Sequence, residues 1–155
     1  MNTENLRNNI RKIIPAPAFR FFQPYYHRFL AYAGAIKYKH PSREITIIAI
    51  TGTKGKSSTT EILAHILRAA GYKTSSLSTI QFTIGNETEA NLYKMTMPGR
   101  FFVQHFLRKS VDAGCSHAVI EMTSEGAKQF RHLHLELDAL IFTNLSPEHI
   151  ESHGS

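Results

Sequence analysis

The run Ile45-Thr46-Ile47-Ile48-Ala49-Ile50, followed by Thr51-Gly52-Thr53-Lys54-Gly55-Lys56 and then Ser57-Ser58, decides the fold. Its first part is short, apolar and β-branched, the pattern of a strand buried on both faces of a parallel sheet. Its middle is a glycine-containing turn. From Ser57 to Ala70 the sequence reads as a helix, with Ile62, Leu63, Ile66 and Leu67 on one side and Gly71 as its stop.

A glycine loop between a strand and a helix is a phosphate cradle. Glycine lets successive N–H groups curl inward, and the helix N-terminus adds the positive end of its dipole. Gly52, Thr53, Lys54, Gly55, Lys56, Ser57 and Ser58 are the candidate nucleotide-binding residues. Lys56 supplies charge for the β- and γ-phosphates, and the Ser57 hydroxyl suits Mg²⁺. The spacing departs from the standard P-loop, which would need glycine where Ile50 stands. The rival is an ordinary strand-to-helix turn that happens to hold these residues. The strand before it and the helix after it weigh against that.

Working outward, Lys73 to Ser78 reads as a strand, and Ile80 to Glu87 as a hairpin turning at Gly85-Asn86. Pro98-Gly99 opens a helix, Phe101 to Ala113. His117 to Met122 is a strand, Ser124 to His132 a short helix, and Leu137 to Thr143 a further strand. This alternation predicts an α/β fold: a P-loop-type, mostly parallel sheet flanked by helices, with right-handed crossovers. No closing element follows Ser146, so the domain is expected to be incomplete at its C-terminus.

Composition sets the class. The chain has 155 residues, 42% hydrophobic and 19% charged, which fits a globular domain with a real core. No apolar run approaches the roughly 20 residues of a membrane span, and the polar start, Met1 to Asn9, is no secretory signal. The single Cys115 cannot staple the fold within the chain and is read as a small buried residue, so a cytoplasmic setting is expected. Residues 1–44 hold eight Lys or Arg against Glu4 and Glu44, whereas residues 45–155 hold ten of each sign. The net +6 therefore belongs to a basic, aromatic N-terminal arm, and no nucleic-acid partner is expected despite the pI near 9.6. Within the arm Tyr25 to Tyr38 can form a helix, ended by His40-Pro41-Ser42. That stretch either packs on the domain, the default, or lies on an anionic lipid surface.

Three further constellations carry chemistry. Glu121 ends a strand beside the phosphate loop, where a carboxylate can hold Mg²⁺ or simply be a solvated strand-end charge. Arg131 can grip a carboxylate or phosphate in two-pronged fashion. His149 and His153 can share a helix face, without an evident third ligand at metal-site spacing.

The stretch from Ile50 to Thr60 resembles the ATP loop of Mur ligases and of the related folylpolyglutamate synthases. The folate enzymes usually insert a glycine after the lysine; here Ser57 follows Lys56 directly, which favours the Mur side. The segment Glu121 through Gln129 to Arg131 is similar to that of the tripeptide synthetases in the Mur family. That segment has Glu125 where the family has histidine, and the stretch Phe142-Thr143-Asn144-Leu145 resembles one that Mur ligases carry, with Glu148 and Glu151 in place of both family aspartates. In the stretch Lys94 to Arg100, Thr96 and Pro98 match a family substrate loop.

The resemblance implies catalytic Lys56, Glu121 and His149, metal ligands Ser57, Glu121 and His149, and substrate contacts from Thr96, Thr123, Gln129 and Arg131. Arg100 is added on position alone. ATP and Mg²⁺ are the implied cofactors, and a UDP-MurNAc-peptide and an amino acid the implied substrates. The implied reaction is amide ligation through an acyl phosphate in peptidoglycan precursor synthesis. The family's downstream lysine and C-terminal ligase domain are not in these residues, so residues 1–155 alone are expected to be inactive. The rivals are a folylpolyglutamate synthase-like ligase and a non-catalytic nucleotide-binding module docked on a membrane through residues 1–44.

Overall fold

The computed structural model describes residues 16–93 and 95–146. His149, with Glu148 and Glu151, lies outside the described residues.

A helix α1 (Ala16–Lys37) and a 3₁₀ turn (Pro41–Arg43) lead into strand β1 (Thr46–Thr51). Then come α2 (Lys56–Ala69), β2 (Thr74–Leu77), β3 (Gln81–Ile84), β4 (Glu87–Ala90), α3 (Arg100–Asp112), β5 (His117–Glu121), α4 (Ser124–Lys128) and β6 (Ala139–Phe142). The strands form one sheet in the order β4-β3-β2-β5-β1-β6. The pairs β2–β5, β5–β1 and β1–β6 are parallel, and the β2-β3-β4 end is antiparallel. The mostly parallel α/β expectation holds.

The register places the chemistry. Ile50 pairs with Glu121, so the carboxyl end of β5 stands beside the start of the glycine loop. Leu77 pairs with Ile120, which brings Ser78 and Thr79 to the same end of the sheet. The central strands are covered on both faces. Ile47, Ile50, Leu77, Leu107 and Ile120 are fully buried, each worth about 1.5–3 kcal/mol relative to exposure.

Three expectations shift. Helix α2 does not bury Ile62 and Ile66, which are 60% and 56% exposed. Thr60 and Ala64 face the sheet instead, with Leu63 and Leu67 packing beside them against Ile50 and Val119. Small residues at those positions let the helix axis approach the strand. Helix α1 begins at Ala16 and runs through Pro24 rather than starting at Tyr25. Pro17 sits in its first turn, where the missing N–H has no intrahelical partner to lose. Helix α1 packs against α3, burying Ala31 and Ala35. Finally, the strand expected over Leu137 to Thr143 spans Ala139–Phe142 and forms a sheet edge, with Leu140, Ile141 and Phe142 58%, 37% and 57% exposed.

Candidate functional site

The glycine loop needs its glycines. Gly52 has φ of +134°, and a Cβ built there would lie 2.2 Å from Thr143 Oγ1. Gly55 (φ +79°) caps α2 in the left-handed region. The first α-helical bond of α2 runs from Thr59 N–H to Gly55 O at 2.9 Å. The amides of Lys56, Ser57 and Ser58 therefore precede the helical ladder and point their dipole end toward the loop mouth.

The amides of Thr53 and Lys54 are used differently from the expectation of a fully inward cradle. Thr53 N–H donates to Asn144 O, and Lys54 N–H to Asn144 Oδ1, both at 3.0 Å. Asn144 Nδ2 and Thr143 Oγ1 both donate to Lys54 O, at 3.0 and 2.8 Å. The residues just after β6 thus brace the loop. The sequence shows Thr-Asn after a strand, but nothing local says what it holds. Lys56 Nζ donates to Gly52 O and Thr53 O, each at 2.8 Å, so its ammonium lies over the loop carbonyls.

Glu121 is 2% exposed, not a solvated strand-end charge. Its Oε2 accepts from Ser57 Oγ at 2.8 Å, from Thr79 N–H at 2.9 Å and from Thr79 Oγ1 at 3.1 Å. A buried carboxylate held by such donors is satisfied without an arginine partner. Ser57 and Glu121 together present hard oxygen donors, the kind Mg²⁺ takes, so the pair fits the implied ion. Thr79 was not singled out from sequence, because its partner lies 42 residues away.

From Thr79 the hydrogen bonds continue. Thr79 Oγ1 and Thr96 Oγ1 are 2.7 Å apart. The next carbonyl, Met97 O, accepts from Arg131 Nη1. Arg131 Nη2 donates to Gln129 Oε1 at 2.8 Å, and Gln129 Nε2 donates to Glu125 Oε1 at 2.9 Å. Arg100 Nη2 donates to Gln129 O. Ser57, Glu121, Thr96, Gln129, Arg131 and Arg100 therefore belong to one connected region. Thr123 is next to it: its side chain caps α4, accepting from Gly126 N–H at 3.0 Å.

Burial, then the neighbouring Arg131 charge, pulls the Arg100 guanidinium below its ordinary value, and burial does the same to Arg131. His27, on α1, is pulled down by burial and then by the charges of Arg100 and Arg131. It was not singled out from sequence, since only the packing of α1 brings it here.

A family model described as the Mur ligase middle domain matches residues 50–155. A UDP-N-acetylmuramyl-tripeptide synthetase from Roseiflexus sp. is 38% identical over 144 residues, covering 92% of this chain and 28% of that protein. A UDP-N-acetylmuramoyl-L-alanyl-D-glutamate–2,6-diaminopimelate ligase from Synechococcus elongatus is 36% identical over 126 residues, covering 79% of this chain and 25% of that protein. The chain thus spans about a quarter of the length of the curated relatives it matches. A solved structure of a ligase of the latter name matches with TM-score 0.59 over 72% of this chain and 22% of its own, at 24% identity, a likeness of fold.

Proposed function

The chain belongs to the Mur ligase family, and on that premise we propose that its full gene product is an ATP-dependent amide ligase of peptidoglycan precursor synthesis. It joins an amino acid to a UDP-MurNAc-peptide. The observation that carries this assignment is Glu121, buried and seated by Ser57 at 2.8 Å beside the glycine loop.

Phosphoryl transfer asks a protein for positioning and charge neutralisation more than for covalent chemistry. Lys56 swings from the loop carbonyls to the β- and γ-phosphates. The helix-opening amides and Gly52, Thr53, Lys54, Gly55 and Ser58 shape the phosphate seat. Ser57, Glu121 and His149 hold Mg²⁺, which when bound supplies the charge neutralisation of the transferring group. Thr96, Thr123, Gln129 and Arg131 orient the nucleotide-sugar peptide, whose terminal carboxylate becomes an acyl phosphate. The amine of the amino acid then displaces phosphate.

The test is ADP formation by the full gene product with ATP, UDP-MurNAc-L-Ala-D-Glu and a panel of amino acids. Turnover that requires the nucleotide sugar and disappears in Lys56→Ala supports the proposal. Turnover with a pterin acceptor instead would move the protein to the folate ligases.

We also infer a surface contact for α1. Phe22, Tyr25, Phe29, Tyr32 and Ile36 form an apolar stripe, each 51–65% exposed. Between Glu4 and Glu44 the chain carries eight Lys or Arg and no acidic residue. An amphipathic, basic, aromatic helix fits an anionic bilayer surface. No helix among the described residues is long and apolar enough to cross a membrane. Co-sedimentation with phosphatidylglycerol vesicles, but not with neutral ones, is expected. Equal binding to both, or to neither, would discard the contact.

A further inference from the structure

The arginines at the substrate end of the site are in no close ion pair among the described residues; the nearest carboxylate is Glu125, whose charge acts on Arg131 and which Gln129 Nε2 holds at 2.9 Å. Arg100 and Arg131 converge on one residue, the first on the Gln129 carbonyl and the second on its side-chain oxygen. Among the described residues the ion pairs are Arg43–Glu136, Arg108–Glu44 and Arg108–Asp112, and neither converging arginine is in one. The Nε atoms of both, and Nδ1 of His27, are buried without a hydrogen-bond partner. His27 Nε2 is 3.3 Å from Gln23 Nε2, and its ring lies 5.8 Å from that of Tyr26, so both of these contacts are within α1. Arg28, one residue on, lies over the Phe130 ring with its guanidinium carbon 5.0 Å from the centroid.

Such an arrangement is unfavourable by itself. Two guanidiniums and an imidazole share a partly buried space: burial disfavours the charge on all three, Arg131 further disfavours it on Arg100, and both arginines disfavour it on His27. Buried charge is ordinarily paired. A cluster left unpaired at the edge of a site is a place where a ligand brings the missing charge.

We propose that Arg100 and His27 complete, with Arg131, an oxyanion pocket walled by α1 that receives a carboxylate or phosphate of the acceptor substrate. The proposal rests on the ligase assignment for the identity of that substrate, while the pocket rests on the three side chains. It gives the N-terminal arm a task in substrate recognition. Carboxylate and phosphate share the chemistry: planar or tetrahedral oxygens that accept from a guanidinium fork. Arg131 orients the group, Arg100 supplies the second fork, and His27 closes the α1 side.

The experiment is titration calorimetry of the full gene product with UDP-MurNAc and with UDP-MurNAc-L-Ala-D-Glu, for wild type, Arg100→Gln, Arg100→Lys and His27→Gln. Arg100→Gln keeps a donor for the Gln129 carbonyl but removes the charge. It is expected to weaken the nucleotide-sugar peptide by about 10-fold or more, the scale of a lost charged hydrogen bond, with ATP affinity unchanged. His27→Gln is expected to weaken it less, and Arg100→Lys to recover part of the loss. With UDP-GlcNAc as a third ligand, which carries the diphosphate but no carboxylate, a deficit absent there and seen with the acid-bearing ligands identifies a carboxylate; a deficit seen with all three identifies a phosphate.

A structural role predicts something else. If Arg100 merely braced the loop, Arg100→Gln would lower the melting temperature and weaken ATP along with the nucleotide sugar. If it is an unpaired ligand-binding charge, the empty variant melts no lower than wild type. Wild-type affinity of Arg100→Gln for both nucleotide sugars overturns the pocket and leaves the ligase assignment standing. If the wild type binds neither nucleotide sugar, the ligase assignment fails instead. The pocket is then judged by inorganic phosphate and glutarate: a melting-temperature rise in wild type that is absent in Arg100→Gln upholds it, and no rise overturns it.

Discussion

At the phosphate-loop end, Lys56 rests on two carbonyls and Glu121 takes donors from Ser57 and Thr79. At the Gln129 end, Arg100 and Arg131 meet the same residue and have no ion-pair partner among the described residues. The first region is held in place before any ligand arrives; the second holds charge in reserve. A site built this way stores its geometry at one end and its affinity at the other. Stability and function should therefore respond to mutation in opposite senses at the two ends.

The largest effect that would break this contrast is at Gly52. Gly52→Ala puts a Cβ 2.2 Å from Thr143 Oγ1 at a φ of +134°. Both terms oppose folding of the loop, and a loss of about 2–4 kcal/mol is expected. Thermal melts of Gly52→Ala alone and with Thr143→Ala check it. The double variant should recover the part due to Thr143 Oγ1 and keep the part due to the positive φ and to the Asn144 backbone, whose N and O each lie 3.0 Å from the same Cβ. Full stability in the single variant would mean the loop is not braced as described.

Glu121→Gln comes next. It keeps the shape but removes the charge that takes three donor hydrogens. ATP turnover should fall by about 100-fold or more, in line with losing an electrostatic stabiliser of phosphoryl transfer, while the fold persists by circular dichroism. Retained turnover would reduce Glu121 to a structural group.

Asn144→Ala removes one donor and one acceptor from Lys54. On this exposed brace a cost of about 1 kcal/mol is expected, read as a lower denaturant midpoint, with faster hydrogen exchange confined to the loop.

The smallest effect sharpens the other end. His27 is pulled below the ordinary histidine value of about 6.5 by burial and two arginine charges. The folded state then binds fewer protons than the unfolded state between the depressed value and about 6.5, so stability rises with pH across that window and is lost as pH falls through it. His27→Gln should flatten that part of the stability–pH curve. An unchanged slope would remove His27 from the charged cluster.

How much of this could be read from residues alone follows the range of the interactions. The glycine loop was legible because two glycines, two lysines, two serines and a threonine occupy seven consecutive positions at a strand-to-helix junction. The parallel sheet was legible because β1 and β5 are short apolar runs. Glu121 could be placed at a strand end but not distinguished from a solvated carboxylate, since burial depends on Ser57 and Thr79 from other elements. Thr143 and Asn144 reach their loop partners across 89 and 90 residues. His27 joins the arginines only because Ala31 and Ala35 let α1 lie close against α3. Ile62 and Ile66 misled because isoleucine at helical spacing looks like a core face, whereas Thr60 and Ala64, with Leu63 and Leu67 beside them, make the contact. No local pattern carries that preference for small residues.

The two rims of the sheet are finished differently. Strand β4 ends one side with Glu87 and Glu89 exposed, charges that discourage a second strand from adding. Strand β6 ends the other with Leu140, Ile141 and Phe142 open to solvent and no charge among its residues. In a concentrated preparation of these residues, strand addition should begin at β6, so one lysine at position 141 would do more for colloidal behaviour than any change at β4.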